Sequence, residues 1–184
     1  MAHLILITGG CRSGKSRYAQ TLAEGLPGRR LFIATCPVLD AEMQDRVRRH
    51  REARAAHAWE TVEAPADLAE ALEQSAAHER DVVLVDCLTL WINNLMHEAS
   101  LRGKDLSEDD IAARCDELLA AARRSAGTVI FVTNEVGLGI VPDNALARRF
   151  RDLVGRCNQT IAAGADTVTL VTCGIPLTLK GACP

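Results

Sequence analysis

Two periodicities alternate along this chain. Unbroken apolar runs recur at Leu4-Ile5-Leu6-Ile7, Leu31-Phe32-Ile33-Ala34, Val82-Val83-Leu84-Val85 and Val129-Ile130-Phe131-Val132, and the threonine- and valine-rich stretch from Thr167 to Thr172 reads as the last clear strand. Short runs of this kind, rich in β-branched residues, predict strands buried on both faces. Between them the spacing lengthens to that of a helix, with stripes at Ala19, Leu22, Ala23 and Leu26, at Leu68, Ala71, Leu72 and Ser75, at Ile111, Cys115, Leu118 and Ala122, and at Leu146, Phe150, Leu153, Cys157 and Ile161. Each stripe covers one helical face. Leu88 to Ala99 reads as a further apolar helix, and Ser107 with Asp110 as the capping box of the helix that follows. Trp59 to Glu63 predicts a short strand broken by Pro65, and Gly174 to Lys180 a final edge strand in which Pro176 is tolerated. The alternation predicts an α/β fold, a mostly parallel sheet with helices on both faces. Right-handed crossovers then bring Ser16, Thr35, Glu63, Asp86 and Asn134 to one edge of that sheet.

Composition narrows the setting. The 184 residues suit a single domain spanning 1–184, without repeat or linker. Lys and Arg number 21 against 24 Asp and Glu, for a net charge of −3, so the whole chain carries no bias toward nucleic acid or anionic membrane. Two tryptophans, one tyrosine and three phenylalanines leave little for base stacking. The seven cysteines are widely spaced with no C-x-x-C pair, the usage of free thiols in a reducing compartment. With no run long enough for a membrane span and no signal-peptide order at the start, a cytoplasmic location is expected.

The chemistry is concentrated at the first strand. Gly9-Gly10-Cys11-Arg12-Ser13-Gly14-Lys15-Ser16 is a G-x-x-x-x-G-K-S loop between a strand and a helix, the setting in which that spacing binds phosphate. Glycines let successive N–H groups face one concavity, Lys15 reaches the β- and γ-phosphates, and the Ser16 hydroxyl is placed for Mg²⁺. Val82 to Val85 ends in Asp86, the expected form of the second motif, a strand whose terminal carboxylate holds Mg²⁺ beside Ser16. Asp40 is a candidate N-cap for a helix running to Ala56. There Arg46, Arg48, Arg49, Arg51 and Arg54 surround His50, and Met43, Val47, His50 and Arg54 share one face. A solvated basic helix and an inward phosphate-gripping one both fit that pattern. Thr35 and Cys36, at the end of the second strand, are candidate ribose or phosphate contacts. Asn134 to Pro142 forms a long loop at the carboxyl end of its strand, where loops carry function.

These residues also carry a resemblance that covers nearly the whole chain. Ile7-Thr8-Gly9-Gly10-x-Arg12-Ser13-Gly14-Lys15-Ser16-Arg17, Ile33-Ala34-Thr35, Arg46-Val47-x-x-His50, Trp59-x-Thr61-x-Glu63, Val132-Thr133-Asn134-Glu135-Val136-Gly137 and Phe150-Arg151-Asp152-x-x-Gly155-Arg156-x-Asn158-Gln159 resemble the bifunctional adenosylcobinamide kinase / adenosylcobinamide-phosphate guanylyltransferase family of cobalamin biosynthesis. The resemblance implies a P-loop NTPase of RecA-like fold and a homotrimer. It also implies two reactions. ATP or GTP phosphorylates the aminopropanol hydroxyl of adenosylcobinamide, and a histidine, matched here by His50, then takes GMP from GTP and passes it to the phosphate, releasing pyrophosphate. Asp86 stands where some relatives have Glu.

Physical chemistry adds expectations for particular residues. Imidazole serves as the guanylyl carrier because its neutral nitrogen attacks and its protonation aids departure. Arg51 and Arg54 would keep His50 neutral by like-charge repulsion and grip the triphosphate. Glu63 either accepts hydrogen bonds from guanine N1 and N2 or is a surface carboxylate after a strand. The alternatives are a single-function P-loop small-molecule kinase with a structural His50, and a nucleic-acid-binding ATPase, disfavoured by charge and aromatic content. No N-K-x-D motif supports a translational-type GTPase.

Overall fold

The computed structural model describes residues 1–36, 58–75 and 81–182. The strands are β1 (His3–Thr8), β2 (Arg30–Ala34), β3 (Trp59–Glu63), β4 (Val82–Asp86), β5 (Thr128–Val132), β6 (Thr167–Thr172) and β7 (Ile175–Lys180). The described helices are α1 (Lys15–Gly25), α2 (Leu68–Ser75), α3 (Leu88–Leu101), α4 (Glu108–Arg124) and α5 (Ala145–Gly164). The strands form one seven-stranded sheet in the order β3-β2-β4-β5-β1-β6-β7. Every neighbouring pair is parallel except β6 with β7.

Period-two alternation divides the core as the apolar runs require. Leu4, Leu6, Val83, Val85, Val129 and Phe131 face α2, α3, α4 and α5. Ile5, Ile7, Leu84, Ile130 and Val132 face Ala19 and Ala23 of α1. Strands buried on both faces cannot tolerate polar interior residues, which is why the runs are continuous. The antiparallel β7 closes the sheet at one edge, and Pro176 costs no ladder bond there.

Helix boundaries follow local chemistry. The predicted capping box forms at α4: Ser107 accepts from the Asp110 backbone N–H while the Asp110 carboxylate accepts from Ser107. Glu108, Asp109 and Asp110 open that helix and Arg123 and Arg124 end it, each sign at the favourable end of the dipole. Asn144 caps α5 by accepting from Leu146 and Ala147 N–H. The expected α5 stripe holds for Leu153, Cys157 and Ile161, but Leu146 is 66% exposed because the first turn overlies an open cleft rather than the sheet. Arg148 and Arg149 of this helix are half-buried, with Arg148 donating to the Pro142 and Asp143 carbonyls and Arg149 to the Leu106 carbonyl and the Asp105 carboxylate.

At the amino edge of the sheet, Arg123 is a four-way clamp. Its guanidinium donates to both oxygens of Asp166, at 2.7 and 2.8 Å, and to the carbonyls of Ala2 and Gly164. Asp166 also accepts from Leu4 N–H, so the ends of α4 and α5 are tied to the start of β1. The Arg123 guanidinium holds the Asp166 carboxyl down at about 2, below its unfolded value of roughly 3.9. A carboxylate depressed on folding contributes stability above its unfolded pKa and loses it as pH falls through its folded one. Asp166→Asn should therefore lower the melting temperature at pH 7, and the difference from wild type should shrink between pH 4 and pH 2. A difference that stays constant over that range in a thermal-melt series would remove the clamp from the stability account.

Candidate phosphate-binding site

The site begins where β1 ends. Thr8 is buried, and Gly9 follows it into the turn that leads to α1. Gly14 adopts φ 94°, open to glycine at little cost, and a Cβ there would sit 3.2 Å from the Gly174 Cα. A Cβ on Gly9 would meet the Val171 carbonyl oxygen at 2.4 Å. The loop is thus pressed against the β6–β7 turn, to which Ser13 is bonded by its carbonyl accepting from Gly174 N–H at 2.8 Å.

The inner surface suits an anion. Gly14, the N-cap of α1, supplies no side-chain cap, so the first N–H groups of the helix face the concavity. Lys15 is buried and its Nζ donates to the Gly10 carbonyl at 3.1 Å, which folds the ammonium across the loop. The buried Ser13 Oγ has no hydrogen-bond partner among the described residues, a donor held ready inside the cradle. Cys11, Arg12 and Ser16 are exposed on the outer rim.

Parallel strands deliver the other groups to this edge. Asp86 ends β4 in register with Val132 of β5 and Ala34 of β2, and β5 lies directly between the strand of Asp86 and the strand of the loop. Behind Asp86, burial first and the Asp86 charge second push the Cys87 thiol up to about 11, so Cys87 remains a neutral thiol. Thr35 is fully buried, its hydroxyl accepting from Cys87 N–H at 2.7 Å and donating to the Cys87 carbonyl at 2.9 Å. That hydroxyl ties the end of β2 to the end of β4. Cys36 is partly exposed beside it. Glu63 is exposed at the end of β3, four strands from β1, a lateral distance of roughly 19 Å at ~4.8 Å per strand. His50, Arg51 and Arg54 lie outside the described residues.

A polar network that sequence reading did not assign runs beneath the edge. Thr133 donates to Asn158 at 2.7 Å and lies 3.2 Å from the Thr89 hydroxyl, which accepts from Asn134 N–H. Glu135 accepts from Thr8 at 2.6 Å and from the Asn158 amide at 3.3 Å, while its own N–H donates to the Gly9 carbonyl at 3.1 Å. The available signal was the abrupt polar run Thr133-Asn134-Glu135 after a wholly apolar strand. Beside this network a cleft of about 660 Å³ opens between α3 and α5, with Met96, His97, Leu146 and Phe150 among its walls. Asn94 joins cleft to sheet, donating to the carbonyls of Thr35 and Pro65.

The fold is similar to that of a prototypical ATPase from the type III secretion system of pathogenic bacteria, with a TM-score of 0.61 at 12% identity over 92% of this chain and about half (51%) of that one, a likeness of fold alone. Among curated proteins, the bifunctional adenosylcobalamin biosynthesis protein CobU of Escherichia coli is 44% identical over 96% of this chain and 99% of its own length, and the CobU of Salmonella typhimurium is equally similar. CobP of Pseudomonas aeruginosa, also named a bifunctional adenosylcobalamin biosynthesis protein, is 41% identical over 96% of each chain. A family model described as cobinamide kinase / cobinamide phosphate guanyltransferase matches residues 5–179, and the chain belongs to that family.

Proposed function

We propose that this protein, acting as one unit over residues 1–184, phosphorylates adenosylcobinamide with ATP or GTP and then transfers GMP from GTP to the product through a guanylyl-histidine intermediate. The observation that carries this reading is family membership over residues 5–179 joined to a formed phosphate loop with Lys15 folded across it. In the kinase step the loop N–H groups, Lys15 and the exposed Ser16 position the triphosphate, where phosphoryl transfer needs orientation and charge stabilisation more than covalent help. Gly9, Gly10, Cys11, Arg12, Ser13 and Gly14 form the cradle. The Ser16 hydroxyl and Asp86 carboxylate are hard oxygen donors fitting Mg²⁺, which retains waters and binds through few protein ligands. Bound there, Mg²⁺ would neutralise charge on the β- and γ-phosphates.

In the second step His50 carries GMP, with Arg51 and Arg54 on the triphosphate. Glu63, roughly 19 Å from β1, would read a base lying along the sheet edge rather than one stacked over the loop. The cleft beside Asn94 has apolar walls and amide groups suited to a corrin ring and its amide side chains. No described helix is long and apolar enough to cross a membrane, in keeping with the expected cytoplasmic location. Homotrimer formation is supported by β7, an edge strand on which Ile175, Leu177 and Leu179 stay more than half exposed on one face.

Three measurements test these proposals. Incubation with GTP labelled at the α-phosphorus should give acid-labile label on the protein, and His50→Ala should lose the label while phosphorylating adenosylcobinamide within threefold of wild type. Label persisting on His50→Ala would remove that residue from the carrier role, and an unlabelled wild type would leave the single-function kinase. MgATP should slow alkylation of the exposed Cys11 at least tenfold, read by mass spectrometry; equal rates at Cys11 with and without nucleotide would refute binding at the loop. Leu177→Glu should convert a trimer to smaller species in light scattering, and an unchanged trimer would place the contact elsewhere.

A further inference from the structure

We infer that Glu135 is a catalytic residue of the kinase step, the carboxylate that takes the proton from the substrate hydroxyl as it attacks the γ-phosphate. This inference rests on the kinase reading above. Its basis is position. The strand β5 is inserted between β1 and β4, so the first residues past its end emerge between the phosphate loop on one flank and Asp86 on the other. The ladder continues beyond the strand, with Thr133 N–H on the Ile7 carbonyl and Glu135 N–H on the Gly9 carbonyl. Those two bonds fix the Glu135 backbone to the first residue of the loop.

The side chain is then oriented by one oxygen alone. Oε1 accepts from Thr8 at 2.6 Å and from the Asn158 amide at 3.3 Å, and Asn158 is itself held by the Thr133 hydroxyl at 2.7 Å. Oε2 has no donor among the described residues, and Glu135 is partly exposed. A carboxylate anchored through one oxygen and open at the other is a preorganised proton acceptor.

Other acceptors among the described residues are worse placed. Asp86 stands on the far flank of β5 and is required by the metal. Glu63 is at the end of the outermost strand. His97 lies in the last turns of α3, nine residues and ~14 Å along the helix axis from its start at the sheet edge. His3 begins β1, at the opposite edge.

The step balances with these groups. The hydroxyl oxygen forms a bond to the γ-phosphorus, the bridging oxygen–γ-phosphorus bond breaks, and its electron pair leaves with the nucleoside diphosphate. The hydroxyl proton passes to Glu135 Oε2 and is returned to solvent when products leave.

Glu135→Gln separates the roles, because the amide oxygen still accepts from Thr8 and Asn158 while the side chain no longer takes a proton. Steady-state kinase assays with cobinamide and ATP should show kcat at least 100-fold lower, KM for ATP within threefold, and an unchanged melting temperature. In a folded Glu135→Gly variant, formate should restore turnover in proportion to its concentration, and chloride should not. Active wild type with Glu135→Gln within threefold of its kcat, or a Gly variant indifferent to formate, would overturn this assignment alone. A wild type that leaves cobinamide unphosphorylated would overturn the kinase reading with it.

Discussion

The phosphate loop is held in shape by backbone hydrogen bonds on both flanks, and the rest of the site depends on that. On one side Glu135 N–H bonds the Gly9 carbonyl, and on the other Gly174 N–H bonds the Ser13 carbonyl. The first comes from the segment after the strand that separates β1 from β4, and the second from the antiparallel β6–β7 turn. A glycine-rich loop left to itself would spread its N–H groups over many conformations. Clamped at both ends, the loop keeps its donors converged before any anion arrives, which is the preorganisation that anion binding and phosphoryl transfer require. The cost is close packing: neither Gly9 nor Gly14 has room for a side chain against the β6–β7 segment.

The two edges of the sheet divide the labour. At the amino edge, charges are paired and structural: Arg123 with Asp166, and Arg29 with the buried Asp81. At the carboxyl edge Asp86 and Glu135 are half-buried, Ser16 is exposed, and the buried Ser13 hydroxyl has no hydrogen-bond partner among the described residues. Ion pairing at the amino edge holds the layers together there. Thr35, Thr89, Thr133 and Asn158 complete the arrangement from below, since each is buried and hydrogen-bonded. They fix the strand ends to one another without contributing charge.

Much of this was legible in the sequence, for identifiable reasons. The apolar runs give β1, β2, β4 and β5 because a strand buried on both faces has no freedom to vary its pattern. The G-x-x-x-x-G-K-S spacing gives the cradle because it encodes backbone geometry as well as side chains. Strand order was less legible, since pairing β5 between β1 and β4 joins residues far apart in the chain and leaves no local trace. The part Thr35 plays in joining strand ends has the same origin: the sequence carries no sign that its hydroxyl bonds both backbone groups of Cys87, the residue just past β4. Leu146 failed for a related reason, because helical periodicity specifies a face and not whether a neighbour covers that face.

Insertion of β5 also explains how one sheet edge can serve two phosphate reactions. One intervening strand puts the axes of β1 and β4 roughly 10 Å apart, twice the ~4.8 Å spacing of neighbours. β2 and β3 extend the same edge by two further strands, toward Cys36 and Glu63. The carboxyl edge is therefore longer than the stretch from β1 to β4 that carries the loop and Asp86, and family membership attaches two reactions, a kinase and a guanylyltransferase, to this one sheet.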